Sequence, residues 1–309
     1  MMQIILLMLL GLMLPQEFEY KGNPLVRDKH TADPATLVEN DTLWLFAGHD
    51  FEGRQKDYVM KDWLLYSTTD MQHWTEYPSP LSVDEFKWAE SHQAYAGQAV
   101  KHNGKYYWYV STNWCGIGVA VSDKITGPYK DAIGKPLLTN KDCFASKHSW
   151  ACIDPTILID DDGTPYIIWG NQQCYYAKLK DNMTEIDGEV HQIKVPRFTE
   201  GPWIHKYQGK YYLTYASEWP EKIAYAVADH IGGPYTPMGV ISEIAGNSNT
   251  THPAIVKFKD QWYFFSHNGG LPDGGSYSRS IIIEPMSYDA EGRINFIPAT
   301  TLGAAPTRP

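Results

Sequence analysis

Residues 152–170 read CIDPTILIDDDGTPYIIWG, with one carboxylate just ahead of Pro155 and three more in a row before Gly163. Two further acids stand in similar frames, Asp33 in TADPATL and Glu200 in TEGPWIH. Carboxylates gathered around one pocket can share acid–base work, one giving a proton to a departing oxygen and another taking one from water. An Asp before Pro often only begins a turn or a strand. Whether Asp33, Asp154 and Glu200 can act together therefore depends on what brings them into one place.

A repeat supplies that. ADPATLVENDTLWLFAGHD from Ala32, AGQAVKHNGKYYWYVSTN from Ala96, IDPTILIDDDGTPYIIWGN from Ile153, TEGPWIHKYQGKYYLTYASE from Thr199 and THPAIVKFKDQWYFFSHNG from Thr251 follow one plan, at intervals of 46 to 64 residues. Each has a small or polar entry, an alternating apolar run, a turn of Gly, Asn or Asp, and an aromatic-rich strand, the signature of a β-hairpin. A weaker strand–turn–strand pattern follows every hairpin, as in LLYSTTDMQHW and AYAVADHIGGPY. Five units of about four strands, with no helical stretch of ten residues, predict an all-β, five-bladed β-propeller in a single domain. A sandwich would lack a period near 50 residues, and a β-helix would show a much shorter one.

In a propeller the first strand of each blade lines the central channel, so the entries of the five hairpins converge on one mouth. The converging set is Asp33, Gly97 with Gln98, Asp154, Glu200 and His252. The triple Asp160–Asp162 falls instead in a hairpin turn at the far end, where acids and glycine are ordinary turn residues. The alternate spacing and distant Glu of a calcium loop are missing there. Three carboxylates crowded at a mouth repel one another and must shift their pKa values, which marks the mouth rather than the turn as the site.

Composition agrees and excludes other classes. The formal charge is −10 and no basic run is present, which argues against nucleic acid as a partner. Aromatic residues make up 14%, with 11 Trp and 21 Tyr, as suits packed sheets or stacked sugar rings. The start, MMQIILLMLLGLMLPQ, is too short to span a bilayer and resembles a signal peptide over residues 1–16. The propeller is accordingly expected over residues 17–309 of an exported, monomeric protein, periplasmic or extracellular. Cys115, Cys143, Cys152 and Cys174 lack C-x-x-C spacing, so free thiols and three disulfide pairings all stay open.

Two carboxylates flanking a pocket with aromatic walls are what hydrolysis of a glycosidic bond requires. TADPATL, CIDPTILIDDDGTPYIIWG and TEGPWIHKYQGKYYLTYAS, in this order on this repeat, resemble the active-site segments of glycoside hydrolase family 43, and the resemblance extends over roughly residues 24–300. It implies inversion at the anomeric carbon and substrates containing arabinose or xylose from plant cell-wall glycans. It also implies Asp33 as general base, Asp154 as the residue that orients and raises the pKa of the acid, and Glu200 as general acid. His252 in NTTHPAIVKF matches a histidine that in many members holds a calcium through water, so a structural calcium in the channel is an option; no cofactor is required. Arg279 in GGSYSRSI resembles an arginine that reaches toward the modulating Asp and the sugar.

Most aromatic residues of the repeats belong to blade packing. Trp88, Trp114, Trp150 and Trp203 are better placed for sugar stacking, with about two of the four expected to do so, and Gln98, His252 and Arg279 join them as candidate substrate contacts. The sequence runs to Pro309 without the β-sandwich that many β-xylosidases of the family carry, so an exo-acting α-L-arabinofuranosidase is the expected activity. A β-D-xylosidase or an endo-xylanase or arabinanase of the same family is the alternative. A sugar-binding propeller without catalysis has no use for the three acids, the fructan-cleaving relatives would show NDPNG, RDP and EC segments, and Trp-Asp or Kelch repeats are lacking.

Overall fold

A computed structural model describes residues 14–51, 56–89, 93–112, 116–244 and 246–307. Trp114, Cys115 and the apolar start up to residue 13 lie outside them. No described segment is an α-helix, and no helix is long and apolar enough to cross a membrane. The strands form five antiparallel sheets in chain order. The protein is a single-domain, five-bladed β-propeller.

Each blade begins with the hairpin read from the repeat. Blade 1 pairs His30–Glu39 with Thr42–Asp50, then adds Met60–Thr68 and His73–Ser82, with Gln16–Glu19 as a fifth strand on the outer edge. Blade 2 runs through Ala94–His102, Lys105–Thr112 and Gly116–Ser122 to short outer pieces. Blade 3 uses Thr156–Ile159, Pro165–Trp169, Cys174–Leu179 and Ile186–Ile193, and blade 4 uses Phe198–Tyr207, Lys210–Ser217, Lys222–Ala228 and Thr236–Ser242. Blade 5 stops at three strands, Ala254–Phe258, Gln261–Asn268 and Ser280–Met286. The fourth strand expected in SIIIEPMSYDAEG shrinks to one bridge between Tyr288 and Ile294.

The termini close the ring at that gap. Leu25 and Thr31 donate backbone hydrogen bonds to Ile281 and Arg279, and Ala304 donates to Ile283. Burial follows the radius. The second strands, such as YYWYVST and YYLTYAS, are covered on both faces by neighbouring blades, while the outer strands of blades 3 and 4 are largely exposed. Aromatic rings fill the wedges between blades, as where Phe46 of blade 1 meets Trp108 of blade 2 edge-on at 4.8 Å.

The three described cysteines, Cys143, Cys152 and Cys174, are buried thiols, with Cys152 beside Cys143. Asp160 begins the predicted turn, its backbone N–H donating to Thr164. Its carboxylate is not idle, for it accepts from Lys206 Nζ at 2.7 Å and from the Tyr211 hydroxyl, tying blade 3 to blade 4.

Candidate active site

The mouth is built by a distortion repeated around the ring. Pairing slips between Ala32 and Ala35, between Ala94 and Gly97, and around Glu200, so each of these first strands bulges where it enters the channel. Bulges re-aim side chains next to active sites. Asp33 and Asp154 both adopt left-handed backbone, with φ of 49° and 58°, immediately before a proline. In blade 4 that left-handed place belongs to Gly201, with φ of 56°, where a Cβ would lie 2.8 Å from the His252 ring. Glu200 therefore stands one residue upstream of the position that Asp33, Asp154 and His252 share, and its longer side chain reaches the same centre.

At that centre the His252 ring lies between the acids. Its Nδ1 is 3.1 Å from Asp33, and its Nε2 is 3.3 Å from Glu200 and 3.7 Å from Asp154. Burial works against charge on this imidazole, but Asp154 and Asp33 outweigh it and hold His252 protonated well above its usual range. Burial likewise opposes charge on Asp33, yet Arg279 and His252 hold it far below the usual carboxylate range. Arg279, buried, donates to Asp33 at 2.8 Å and forks onto both oxygens of Asp50. His267 accepts the backbone N–H of Asp33 at 3.1 Å, with burial and Arg279 keeping it neutral.

Asp154 has no such cation to itself. Burial and the charges on Glu200 and Asp33 overcome His252 and push its pKa up to about 7. Its backbone N–H donates to Ser111 and its carboxylate accepts from Gly201, which fixes its direction. For Glu200, burial pushes up and His252 pulls down, and the pull wins. This departs from the expectation that Asp154 would lift the pKa of Glu200, because the imidazolium is the nearer influence. Glu200 also accepts from Asn171, and the buried Glu221 lies close enough to act on its charge. Burial and Glu200 raise the pKa of Glu221 well above the usual range. The mouth thus holds two carboxyls pulled toward the ionised form, Asp33 and Glu200, and two pushed toward the protonated form, Asp154 and Glu221.

These acids close the inner end of a cavity of about 680 Å³, walled by Tyr58, Tyr95, His148, Trp150 and Trp219. A second, narrower cavity of about 290 Å³ continues down the channel beneath Asp33, Asp154 and His252. Asp154, Glu200 and His252 each offer one ligand atom within 4.8 Å of the others, so a cation can be accommodated among them.

The sequence profile of glycosyl hydrolases family 43 matches residues 21–294, and this span contains every group just described. The chain belongs to family 43. It is a glycosidase. A xylosidase/arabinosidase of Bacteroides ovatus is 32% identical, the alignment covering 87% of this chain and 95% of that protein. A family 43 β-xylosidase/α-arabinofuranosidase from a compost microbial metagenome superposes with a TM-score of 0.81 at 27% identity, over 92% of this chain and 99% of that one. An α-L-arabinofuranosidase of Clostridium thermocellum gives 0.77 at 32% identity, over 90% and 96%.

Of the residues expected at this family 43 site, Asp33, Asp154, Glu200, His252, Arg279 and Trp150 line the cavity. Others lie elsewhere. Trp203 is buried between blades 4 and 5, its indole N–H donating to Ile255 O at 3.0 Å. Gln98 faces the lower channel, where its side-chain oxygen accepts from Thr156 and Ile157 and joins blade 2 to blade 3. Trp88 donates to Asp131 at 2.9 Å and packs on Gly116 and Gly118 within blade 2. Sequence reasoning passed over Asp50, Asn171, Trp219, Glu221 and His267. Each lies at or just beyond the end of a blade's second strand, where the hairpin returns to the mouth.

Proposed function

We propose that this glycosidase releases terminal pentose units from arabinoxylan-related chains with inversion, acting as an exo-α-L-arabinofuranosidase. The observation that carries the reading is the placement of the acids at the inner end of an aromatic-walled cavity, which suits a chain end better than the middle of a polymer. Asp33, fixed as a carboxylate, is the base that activates water. Glu200 is the acid, and it stands beside the buried Glu221, whose pKa burial and Glu200 push well above the usual range. One imidazole ring and two hydrogen bonds separate Asp33 from Glu200, in keeping with the ~6.5–9.5 Å that inverting hydrolases leave for a water. Asp154, its pKa pushed up to about 7, orients the sugar beside Glu200.

A structural calcium is compatible with this arrangement. Asp154 and Glu200 would offer it oxygens and His252 would face it through water, and it would supply positive charge among crowded carboxylates. Export belongs to the same proposal, since a polymeric substrate stays outside the cell.

Relatives named for both sugars support arabinoxylan-type substrates, and β-D-xylosidase is the competing activity. The deciding experiment compares aryl α-L-arabinofuranoside with aryl β-D-xyloside and follows the first-formed anomer by NMR. Faster arabinoside cleavage with an inverted product is expected. Faster xyloside cleavage reassigns the sugar, and binding without cleavage of either returns the reading of a non-catalytic sugar-binding propeller.

A further inference from the structure

Trp219 is an exposed aromatic residue on a held backbone. The residue is 63% exposed at the rim of the catalytic cavity, whereas Tyr95 on the inner wall is 8% exposed. The flanking backbone is pinned on both sides. Glu218 donates to Arg197 O at 3.2 Å, and its own carbonyl accepts from Thr199 Oγ1 at 2.8 Å. Glu221 N–H donates to Asn249 O at 2.9 Å, and its carboxylate accepts from Thr251 N–H at 2.8 Å. A large ring presented to solvent by a fixed loop, at the edge of a sugar cavity, offers a flat apolar face at little ordering cost.

Its position in the blade says which part of the substrate meets that face. Glu200 lies opposite Ala216 in the pairing of the first two strands of blade 4, and Trp219 follows shortly after Ala216. Trp219 and Glu200 therefore belong to the same side of the mouth, whereas Asp33 comes from blade 1. A general acid must stand beside the departing oxygen, so the leaving sugar lies on the Glu200 side.

We propose that Trp219 is the stacking platform for the sugar ring on the leaving-group side of the scissile bond, and so a determinant of leaving-group specificity. This rests on the assignment of Glu200 as the acid. The residue contributes binding to the leaving ring and nothing to proton transfer, so its removal acts through KM.

The test pairs two substrates with the same terminal pentose, a methyl glycoside with no ring to stack and a disaccharide whose leaving group is a pentopyranose. Trp219→Ala is expected to lower kcat/KM on the disaccharide ~10-fold, mostly through KM, while leaving the methyl glycoside within about twofold. Trp219→Phe is expected to recover most of the loss. Equal losses on both substrates, or no loss on the disaccharide, overturn the platform. Glu200→Gln, assayed on the same methyl glycoside, reports separately on the acid: full activity there overturns the acid assignment, whereas a crippled Glu200→Gln beside an indifferent Trp219→Ala overturns the platform alone.

Discussion

Asp154 and Asp160 stand at opposite ends of one strand of blade 3, Thr156–Ile159, and they behave as different chemical species. Asp154 is 5% exposed, held in left-handed backbone and crowded by Glu200 and Asp33, so burial and like charge push its pKa up to about 7. Asp160 is also partly shielded, but Lys206 and Tyr211 outweigh the burial and lower its pKa. One strand length separates a carboxyl that keeps its proton from one that gives it up. Residue type did not decide this; the number of cations and donors within reach did. The mouth places several buried carboxyls around His252 and Arg279, and the turn end gives each buried acid its own partner.

The largest test of that contrast is at the mouth. Asp33→Asn is expected to lose ~10²–10⁴ in kcat on every substrate, because no leaving group compensates for an unactivated water. Glu200→Gln should lose a comparable factor on natural glycosides yet keep far more activity on an aryl glycoside with an acidic phenol. Steady-state kinetics on both substrate types check the pair. If the activated substrate rescues Asp33→Asn instead, base and acid must be exchanged.

A smaller effect concerns the proton on Asp154. Its folded pKa of about 7 lies above the ordinary 3.8, so the folded protein binds more protons than the unfolded chain between these values. Stability from this group is therefore lost as pH rises from about 4 to about 7. Asp154→Asn cannot ionise, so in EDTA-treated protein its Tm should exceed that of the parent by a few °C at pH 8.5 and by much less at pH 4.5. Calorimetry at the two values decides, and a gap independent of pH would remove the buried-charge account.

Much of this contrast was legible in the sequence, and the parts that were not share a cause. The hairpin repeat separated mouth from turn because aromatic-rich strands and Gly, Asn or Asp turns are local signals. The fold assignment followed, although the missing outer strand of blade 5 did not, since its replacement by the chain termini is a long-range matter. Asp33, Asp154 and His252 announced themselves as residues before proline at blade entries. The offset of Glu200 was also in plain view, as EGP against DP, but its reason, Gly201 clearing the His252 ring, needs the neighbouring blade. Trp203 misled because proximity to EGP in sequence says nothing about which face of a bulged strand it occupies. Asp50, His267 and Trp219 carry no first-strand signal, because it is the far ends of the second strands that return to the same mouth.

The smallest expected effect is at the turn end, and it bears on whether the two ends are independent. Asp161 is 84% exposed on its side chain and shares Lys206 with Asp160, so an exposed partner of this kind contributes at most a few tenths of a kcal/mol. Asp161→Asn should change neither kcat/KM nor Tm measurably. Asp160 is the more telling residue, since its carboxylate is 13% exposed and links the turn of blade 3 to Lys206 and Tyr211 of blade 4. Asp160→Asn keeps one acceptor oxygen but loses the charge, so a stability loss of about 1 kcal/mol is expected, seen as a fall of roughly 2–4 °C in Tm. The kcat/KM should stay within about twofold of the parent, because the strand between the two acids transmits neither charge nor movement of that size. A kcat/KM loss in Asp160→Asn as large as that of a mouth variant, at full folding, would mean that blade 3 couples its two ends, and the division between a catalytic mouth and a structural turn would have to be given up.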